Sequence, residues 1–346
     1  MKAVQRIAVA AVGLILGITA NAADISGAGA TFPYPIYAKW ADAYKKLTGV
    51  GLNYQSIGSG GGIKQIKAKT VTFGASDMPL KPDDLKAAGL LQFPMIIGGV
   101  VPVVNLKSIA PGQLHLDGAT IASIYMGEIA KWDDPRIKKL NPSVALPATA
   151  IAPIYRSDGS GTNFLFSDYL SKESPKFASS IGANAAVEWP KGIGAKGNEG
   201  VANMTTQTDG AIGYVEYAYA KQNKMTYAML TNKAGNAVAP GADTFQAAAA
   251  NADWAKADSY YLILTDQDGA KSWPITGASF ILMYKTPPDP AAVKEALKFF
   301  GWAYKDGAQM AAELDYVPLP AALIAQVKKT WAAEIVSGGQ PVWAGP

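Results

Sequence analysis

Three short segments of the chain place glycine and hydroxyl residues where a helix is predicted to begin. They cover residues 27–32 (GAGATF), 58–62 (GSGGG) and 156–162 (RSDGSGT). The first N–H groups of a helix lack partners within the helix, and its dipole places about half a positive charge there. A helix start therefore attracts anions. Three such starts from distant parts of one chain predict convergence on a small oxyanion.

The third segment adds a fixed positive charge. The guanidinium of Arg156 is always charged, and its planar fork of donors matches a tetrahedral oxyanion. Ser160 and Thr162 contribute hydroxyl groups, and Gly161 lets the backbone approach a ligand closely. Asp158 lies two residues from Arg156, so in an extended segment both side chains face the same way and the carboxylate can hold the guanidinium. The spacing fits equally well a plain turn at Asp158 and a helix N-cap at Ser160.

The second segment resembles a phosphate-binding loop only in its glycine content. It lacks the Lys-Ser/Thr ending of a P-loop and does not match G-x-G-x-x-G, so a nucleotide site is not favoured. Ser59 nevertheless offers a hydroxyl donor at a helix start.

Asp77 follows the predicted strand 71–75, and its charge conflicts with an anion site. An ionised carboxylate only accepts hydrogen bonds, so it tolerates an oxyanion that carries a proton and rejects one that does not. Near neutral pH, phosphate keeps a proton and sulfate keeps none. The alternative is that Asp77 is a capping or loop residue, and the sequence does not decide between these two interpretations.

Composition excludes several classes of function. The chain has no cysteine and a single histidine, His115, which we expect at the surface. Thiol chemistry and cysteine or histidine metal clusters are therefore excluded. The formal net charge is +4, and no basic stripe with interleaved aromatic residues is present, so nucleic acid is not a predicted partner. No metal and no cofactor are predicted.

The first residues are typical of a secretory signal peptide. Lys2 and Arg6 precede an uncharged apolar run at 7–19, and Ala20-Asn21-Ala22 is a small-residue cleavage site. A membrane anchor is the alternative, but the run is shorter than the roughly 20 residues that a spanning helix needs. We expect cleavage after Ala22 and export to the periplasm.

Alternating strand-like and helix-like segments predict an α/β protein. Two long apolar segments, 95–105 and 273–284, are expected to be crossings between two domains, although both can also be core strands of one sheet. The crossing model gives a discontinuous lobe I, 23–104 plus 277–346, and a lobe II, 105–276.

Local signals predict where several helices begin and end. Gly49 should end a helix that starts after Pro33, and Asp289 with Pro290 should begin another. Thr120 is the expected N-cap of a helix in the middle of the chain. The tail from residue 337 is expected to be loose.

Several segments together carry a family resemblance: GAGATFP at 27–33, GSGGG at 58–62, FGASD at 73–77, KWDDP at 131–135, RSDGSGT at 156–162, KGNEG at 196–200 and AIGYVE at 211–216. Their combination resembles the periplasmic phosphate-binding proteins of high-affinity ABC phosphate importers. The resemblance extends over essentially the whole mature chain. It implies a two-lobed periplasmic binding protein fold, type II-like, with two hinge strands.

The resemblance also implies roles for individual residues. Phosphate would contact Thr31, the backbone N–H of Phe32, Ser59, Asp77, Arg156, Ser160, Gly161 and Thr162, with Asp158 supporting Arg156. Asp77 would accept the phosphate proton. The protein would be a monomeric soluble component that delivers phosphate to a membrane permease and has no enzyme activity. Two alternatives stay open, which are a binding protein for another oxyanion such as sulfate or molybdate and an exported phosphatase.

Overall fold

A computed structural model describes residues 24–343 and Gly345. The predicted signal peptide and its cleavage site lie outside these residues. The strands are β1 Ile25–Gly29, β2 Leu52–Ser56, β3 Phe73–Ser76, β4 Leu90–Val104, β5 His115–Leu116, β6 Ala152–Arg156, β7 Ile193–Ala195, β8 Ala211–Glu216, β9 Thr226–Tyr227, β10 Met229–Thr231, β11 Ala237–Val238, β12 Thr276–Tyr284, β13 Val336–Ser337 and β14 Gln340–Pro341.

The α-helices are α1 Tyr34–Thr48, α2 Ser59–Lys67, α3 Pro82–Ala88, α4 Gly118–Tyr125, α5 Pro135–Leu140, α6 Gly161–Glu173, α7 Pro175–Ser180, α8 Gly197–Gln207, α9 Tyr217–Gln222, α10 Ala242–Ala249, α11 Pro290–Lys305, α12 Ala308–Ala312 and α13 Ala321–Glu334. Strands and helices alternate along most of the chain, as predicted for an α/β protein. Within residues 24–343, no helix combines the length and the apolar character that a membrane crossing requires.

One nine-stranded sheet organises the molecule, with the order β2-β1-β3-β12-β4-β8-β6-β7 and with β9 also paired to β4. The two long apolar segments of the sequence are β4 and β12, which are antiparallel neighbours at its middle. Strand β4 pairs with β12 through residues 90–99 and with β8 through residues 100–104. We call β2, β1, β3 and β12 the first sheet half, and β8, β6 and β7 the second sheet half.

Helix starts in the first sheet half follow the local sequence signals. Helix α1 begins after Pro33 and ends at Gly49, whose φ of 80° is the left-handed conformation that glycine adopts without penalty. Helix α11 begins at Pro290 with the Asp289 side chain accepting a hydrogen bond from a backbone N–H, as predicted. Phe300 of α11 packs on Phe73 of β3 with the two rings nearly perpendicular.

The two halves are also connected outside the sheet. The carbonyl of Ser259 accepts a hydrogen bond from Gln92, and the Trp254 ring packs on Phe280 of β12. A few residues later, Thr265 accepts from Lys172 of α6. The segment 254–265 therefore contacts β12 of the first sheet half and helix α6, which follows β6 of the second sheet half.

Two local predictions were wrong. Asp117, and not Thr120, caps α4, because its carboxylate accepts from the Thr120 N–H at 2.7 Å. Residues 337–343 of the tail are not loose, since β13 and β14 form a hairpin and the Trp343 ring packs edge-on against Trp331. Burial of one tryptophan ring orders a tail whose glycines and proline suggested disorder.

Candidate functional site

All three predicted helix starts are helix starts in the structure. Helix α1 begins two residues after Phe32, α2 begins at Ser59, and α6 begins at Gly161. The first two follow strands β1 and β2 of the first sheet half, and the third follows β6 of the second sheet half. The candidate site therefore lies where the two halves face each other.

Ser59 brings α2, α6 and the end of β3 together. Its hydroxyl oxygen accepts from the Asp77 N–H at 3.2 Å and from the Gly161 N–H at 3.0 Å. The backbones of α2 and α6 also meet directly, because the Gly60 N–H donates to the Gly159 carbonyl at 2.9 Å. The contact is too close for side chains: a Cβ at Gly161 would lie 2.5 Å from the Asp77 Cβ.

Arg156 ends β6 and is 3% exposed. Its Nε and Nη2 atoms donate to the two carboxylate oxygens of Asp158 at 2.8 and 2.6 Å. This bidentate pair matches the expectation that Asp158 holds the guanidinium. Burial opposes ionisation of Asp158, but the hydrogen bonds and charge of Arg156 outweigh it, so the pKa of Asp158 is lowered. The Gly197 N–H, at the start of α8, also donates to this carboxylate.

Asp77 follows β3 and is 1% exposed. Burial raises the pKa of Asp77 to about 7, although nearby Ser279, Arg156 and Ser59 lower it in part. The carboxyl group is therefore poised to exchange a proton near neutral pH. Asp77 is a buried residue of the loop that follows β3.

Thr31 and Thr162 meet through a residue that the sequence analysis did not select. The Asn198 side-chain amide donates to the Thr31 hydroxyl oxygen at 2.7 Å and to that of Thr162 at 3.2 Å. Asn198 is the second residue of α8, which is a fourth helix start at the site. The sequence signal for this helix start was the glycine before Asn198 in the segment KGNEG at 196–200. A short polar segment of this kind is equally compatible with an ordinary loop.

Phe32 and Ser160 complete the predicted set. Phe32 is fully buried and packs its ring against Tyr316, whose hydroxyl donates to the Phe32 carbonyl at 2.7 Å. Ser160 caps α6, since its hydroxyl accepts from the Asn163 N–H at 3.0 Å. The structure thus brings the predicted site residues into one cluster, which is buried except for the partly exposed Asp158.

A second buried carboxyl group lies beside the site. The Glu216 oxygen Oε2 is 2.8 Å from the Tyr316 hydroxyl, which also donates to the Phe32 carbonyl. A tyrosine hydroxyl has one proton, which Tyr316 shares between the Phe32 carbonyl and Glu216 Oε2, and the same Oε2 accepts from the Ala218 N–H at 2.9 Å. Burial raises the pKa of Glu216 well above its usual range, although these hydrogen bonds lower it in part.

Two charged atoms of the cluster have no partner among the described residues. Nη1 of Arg156 and Oδ1 of Asp77 are both buried without a hydrogen bond, as is the hydroxyl oxygen of Ser279 beside Asp77. An unpaired buried charge is costly, so such atoms indicate a ligand that supplies both an acceptor and a donor. A protonated oxyanion has this combination. Over the same residues, no group of three or more His, Asp or Glu side chains is arranged to hold a metal ion.

Comparisons with known proteins agree with this geometry. The chain matches the family model described as PBP superfamily domain over residues 17–306. A Pasteurella multocida protein named phosphate-binding protein PstS is 53% identical over 327 residues, which cover 94% of this chain and 95% of that protein. A Xylella fastidiosa protein of the same name is 53% identical over 310 residues, which cover 90% and 85%.

A solved structure supports the fold independently. A high-affinity periplasmic phosphate-binding protein, PfluDING, bound with phosphate, has a TM-score of 0.71 to this chain at 21% identity. The match covers 92% of this chain and 97% of that chain. The architecture is therefore the two-lobed periplasmic binding protein fold.

Proposed function

The chain belongs to the PstS family of phosphate-binding proteins, within the PBP superfamily, and we propose that it captures inorganic phosphate between its two sheet halves for import by an ABC transporter. The observation that carries the proposal is the pairing of two buried, unpartnered atoms, Nη1 of Arg156 and Oδ1 of Asp77. They stand among helix starts that supply neutral donors. Phosphate offers oxygens to the first and a proton to the second.

We assign the phosphate contacts to the predicted residues. Arg156 provides the charged donor, and Asp158 holds it in place. The hydroxyl groups of Thr31, Ser59, Ser160 and Thr162 and the backbone N–H groups of Phe32 and Gly161 surround the remaining oxygens. Asp77 accepts the proton of the ligand, which excludes a fully ionised oxyanion.

Binding is proposed to close the molecule. The lobes follow the sequence-based division, 23–104 plus 277–346 and 105–276, with β4 and β12 as the hinge strands. Phosphate bridges the lobes, because only the closed form brings donors from both to its oxygens. Each hydrogen bond to the charged ligand contributes about 1.5–3 kcal/mol, and the ordering of the lobes offsets part of the total.

The same proposal covers the setting in which the protein works. A signal peptide directs the chain to the periplasm and is removed after Ala22, and the mature protein acts as a monomer. The closed form docks on a membrane permease and releases phosphate to it. The task requires no covalent step, so the protein has no enzyme activity.

A titration of the mature, ligand-stripped protein with phosphate tests this function. One-to-one binding with an affinity in the micromolar range or tighter supports it. In parallel, the protein is incubated with a phosphate monoester and divalent cations. Release of phosphate from the ester would contradict the assignment as a binding protein, and absence of phosphate binding would remove its basis.

A further inference from the structure

The Asn198 side chain contacts a hydroxyl group that follows a strand of the first sheet half and another that follows a strand of the second. It is fully buried. Its amide donates to Thr31, which follows β1, and to Thr162 at the start of α6. The backbone N–H of Asn198 donates to Thr31 as well, at 3.1 Å. The side-chain oxygen Oδ1 of Asn198 accepts from the Glu216 N–H at 2.9 Å, which fixes the orientation of the side-chain amide.

These contacts leave the Thr31 hydroxyl able only to donate a hydrogen bond. A hydroxyl group has one proton to donate and two lone pairs that accept. Asn198 fills both lone pairs of the Thr31 oxygen, one with its backbone N–H and one with its amide. The Thr31 hydroxyl must therefore donate its proton to a different group. For Thr162, Asn198 fills one of the two lone pairs.

The Ser59 hydroxyl is likewise left able only to donate a hydrogen bond. The N–H groups of Asp77 and Gly161 fill both of its lone pairs. Two hydroxyl groups of the site are thus left with only their protons to offer. In one case backbone groups achieve this, and in the other the side chain of Asn198 takes part.

We propose that Asn198 is a positioning residue, which makes the Thr31 hydroxyl an obligate donor to the bound oxyanion and does so only when the two halves are together. An oxyanion accepts hydrogen bonds at every oxygen that lacks a proton. A Thr31 hydroxyl free to rotate would lose part of its interaction by pointing its proton elsewhere. The inference rests on the proposed function, because it requires an anion at this site.

The test is a set of variants titrated with phosphate by calorimetry. N198A is measured alone, with T31S, which keeps the hydroxyl, and with T31V, which removes it. In the wild-type and T31S backgrounds, N198A should weaken phosphate binding by about 10-fold or more. In the T31V background, the loss of phosphate affinity caused by N198A should be several-fold smaller, because no Thr31 hydroxyl proton remains for Asn198 to orient.

Asn141 provides a matched control. It is 4% exposed, its amide donates to the carbonyls of His115 and Ile137, and its oxygen accepts from the His115 N–H. N141A removes the same kinds of hydrogen bond away from the site. It should lower the melting temperature of the ligand-free protein about as much as N198A, while phosphate affinity stays unchanged.

The outcomes separate this inference from the proposed function. The inference is overturned if the wild type binds phosphate and N198A binds it equally well. It is also overturned if N198A lowers phosphate affinity by the same factor in all three backgrounds, because Asn198 then does not act through the Thr31 hydroxyl. If T31V does not fold, the comparison of N198A, its T31S double variant and N141A still decides, because equal affinities for N198A and N141A overturn the inference. Absence of phosphate binding by the wild type overturns both proposals.

Discussion

Arg156 and Asp77 carry opposite charges within one buried cluster, and each leaves a polar atom without a partner. Asp158 neutralises Arg156 but occupies only its Nε and Nη2 atoms. The guanidinium is thereby fixed in orientation with its remaining nitrogen free. In the proposed set of phosphate contacts, Asp77 is the acceptor and the other groups are donors. We therefore propose that specificity at the residue scale depends on Asp77.

Replacement of Arg156 by alanine removes the charged donor and leaves Asp158 partly buried without its partner. We expect R156A to weaken phosphate binding by at least about 100-fold, which corresponds to the loss of one buried, charge-assisted hydrogen bond. Calorimetry measures the change. Arg136 is the matched control, because it pairs with Asp134 in the same way but at the surface, and R136A should bind phosphate normally. Near-normal affinity in R156A would remove Arg156 from the site.

Asp77 should determine which oxyanions bind. At about pH 8, where Asp77 is ionised, D77N replaces a group that only accepts with an amide that also donates, so an anion without a proton no longer meets a negative charge. We expect the ratio of phosphate to sulfate affinity to fall by about 10-fold or more. Competition of sulfate against bound phosphate measures this ratio. An unchanged ratio of phosphate to sulfate affinity would show that Asp77 does not distinguish a protonated anion from an unprotonated one.

At the scale of elements, glycines allow the two halves to touch. Gly60 faces Gly159 across the site, and Gly161 lies against Asp77. In both places backbone atoms occupy the space that a side chain would need. Helix starts α2 and α6 approach each other closely enough for Ser59 to accept from the Gly161 N–H.

A methyl group at Gly161 should keep these elements apart. Its Cβ would lie 2.5 Å from the Asp77 Cβ and 2.7 Å from the Asp77 backbone nitrogen, which cannot both be relieved by a side-chain rotation. We expect G161A to lower phosphate affinity by about 10-fold or more, with little change in the melting temperature of the ligand-free protein.

The control for G161A is a glycine in open space. An added Cβ at Gly301, in the middle of α11, meets no atom within 4 Å. G301A should leave phosphate affinity unchanged and stabilise the protein slightly, since alanine favours the helix. Equal phosphate affinities in G161A, G301A and the wild type would show that the close contact of α6 with Asp77 is not needed for binding.

The sequence predicted the elements whose signals are local. Glycine and hydroxyl residues mark the starts of α2 and α6, and Asp289 with Pro290 marks that of α11. The cap of α4 was misassigned because Asp117 and Thr120 are both good capping residues and only the backbone path decides between them. Asn198 was missed for a different reason, since its role comes from Thr31, 167 positions earlier in the chain.

The order of the tail also depends on a contact with residues that are distant in the sequence. Glycine and proline content indicated a loose end, but the Trp343 ring finds a partner in Trp331, which is part of the core. Long-range packing of one large side chain overrides local composition. A sequence pattern contains no information about which distant surface such a ring will meet.

At the scale of the whole molecule, burying carboxyl groups makes stability depend on pH. The pKa of Asp77 rises from 3.8 to about 7 on burial, so the folded state holds this proton more tightly than the unfolded chain. The resulting stabilisation is fully present below the unfolded pKa of 3.8 and is lost as the pH rises towards about 7. The contribution of Asp77 to the stability of the ligand-free protein is therefore smaller at high pH than at low pH.

D77N isolates this contribution, because the other titrating groups, including Glu216, are common to both proteins. Between about pH 4.5 and about pH 7.5, the melting temperature of the ligand-free wild type should fall by several degrees more than that of D77N. Scanning calorimetry on ligand-stripped samples measures both. Parallel curves for the two proteins would contradict a raised pKa at Asp77.

We propose that closure of the two halves brings the donors of α6 and α8 to the residues that follow β1, β2 and β3. Asn198 and Ser59 make contacts between the halves in the arrangement that the structure describes. A ligand that satisfies Arg156 and Asp77 together then stabilises the closed form. The most direct measurement of this claim is the competition between phosphate and sulfate for the wild-type protein at about pH 8, where Asp77 is ionised in the free protein. The account predicts one-to-one phosphate binding that a large excess of sulfate does not displace. Displacement of phosphate by sulfate at comparable concentration would contradict it.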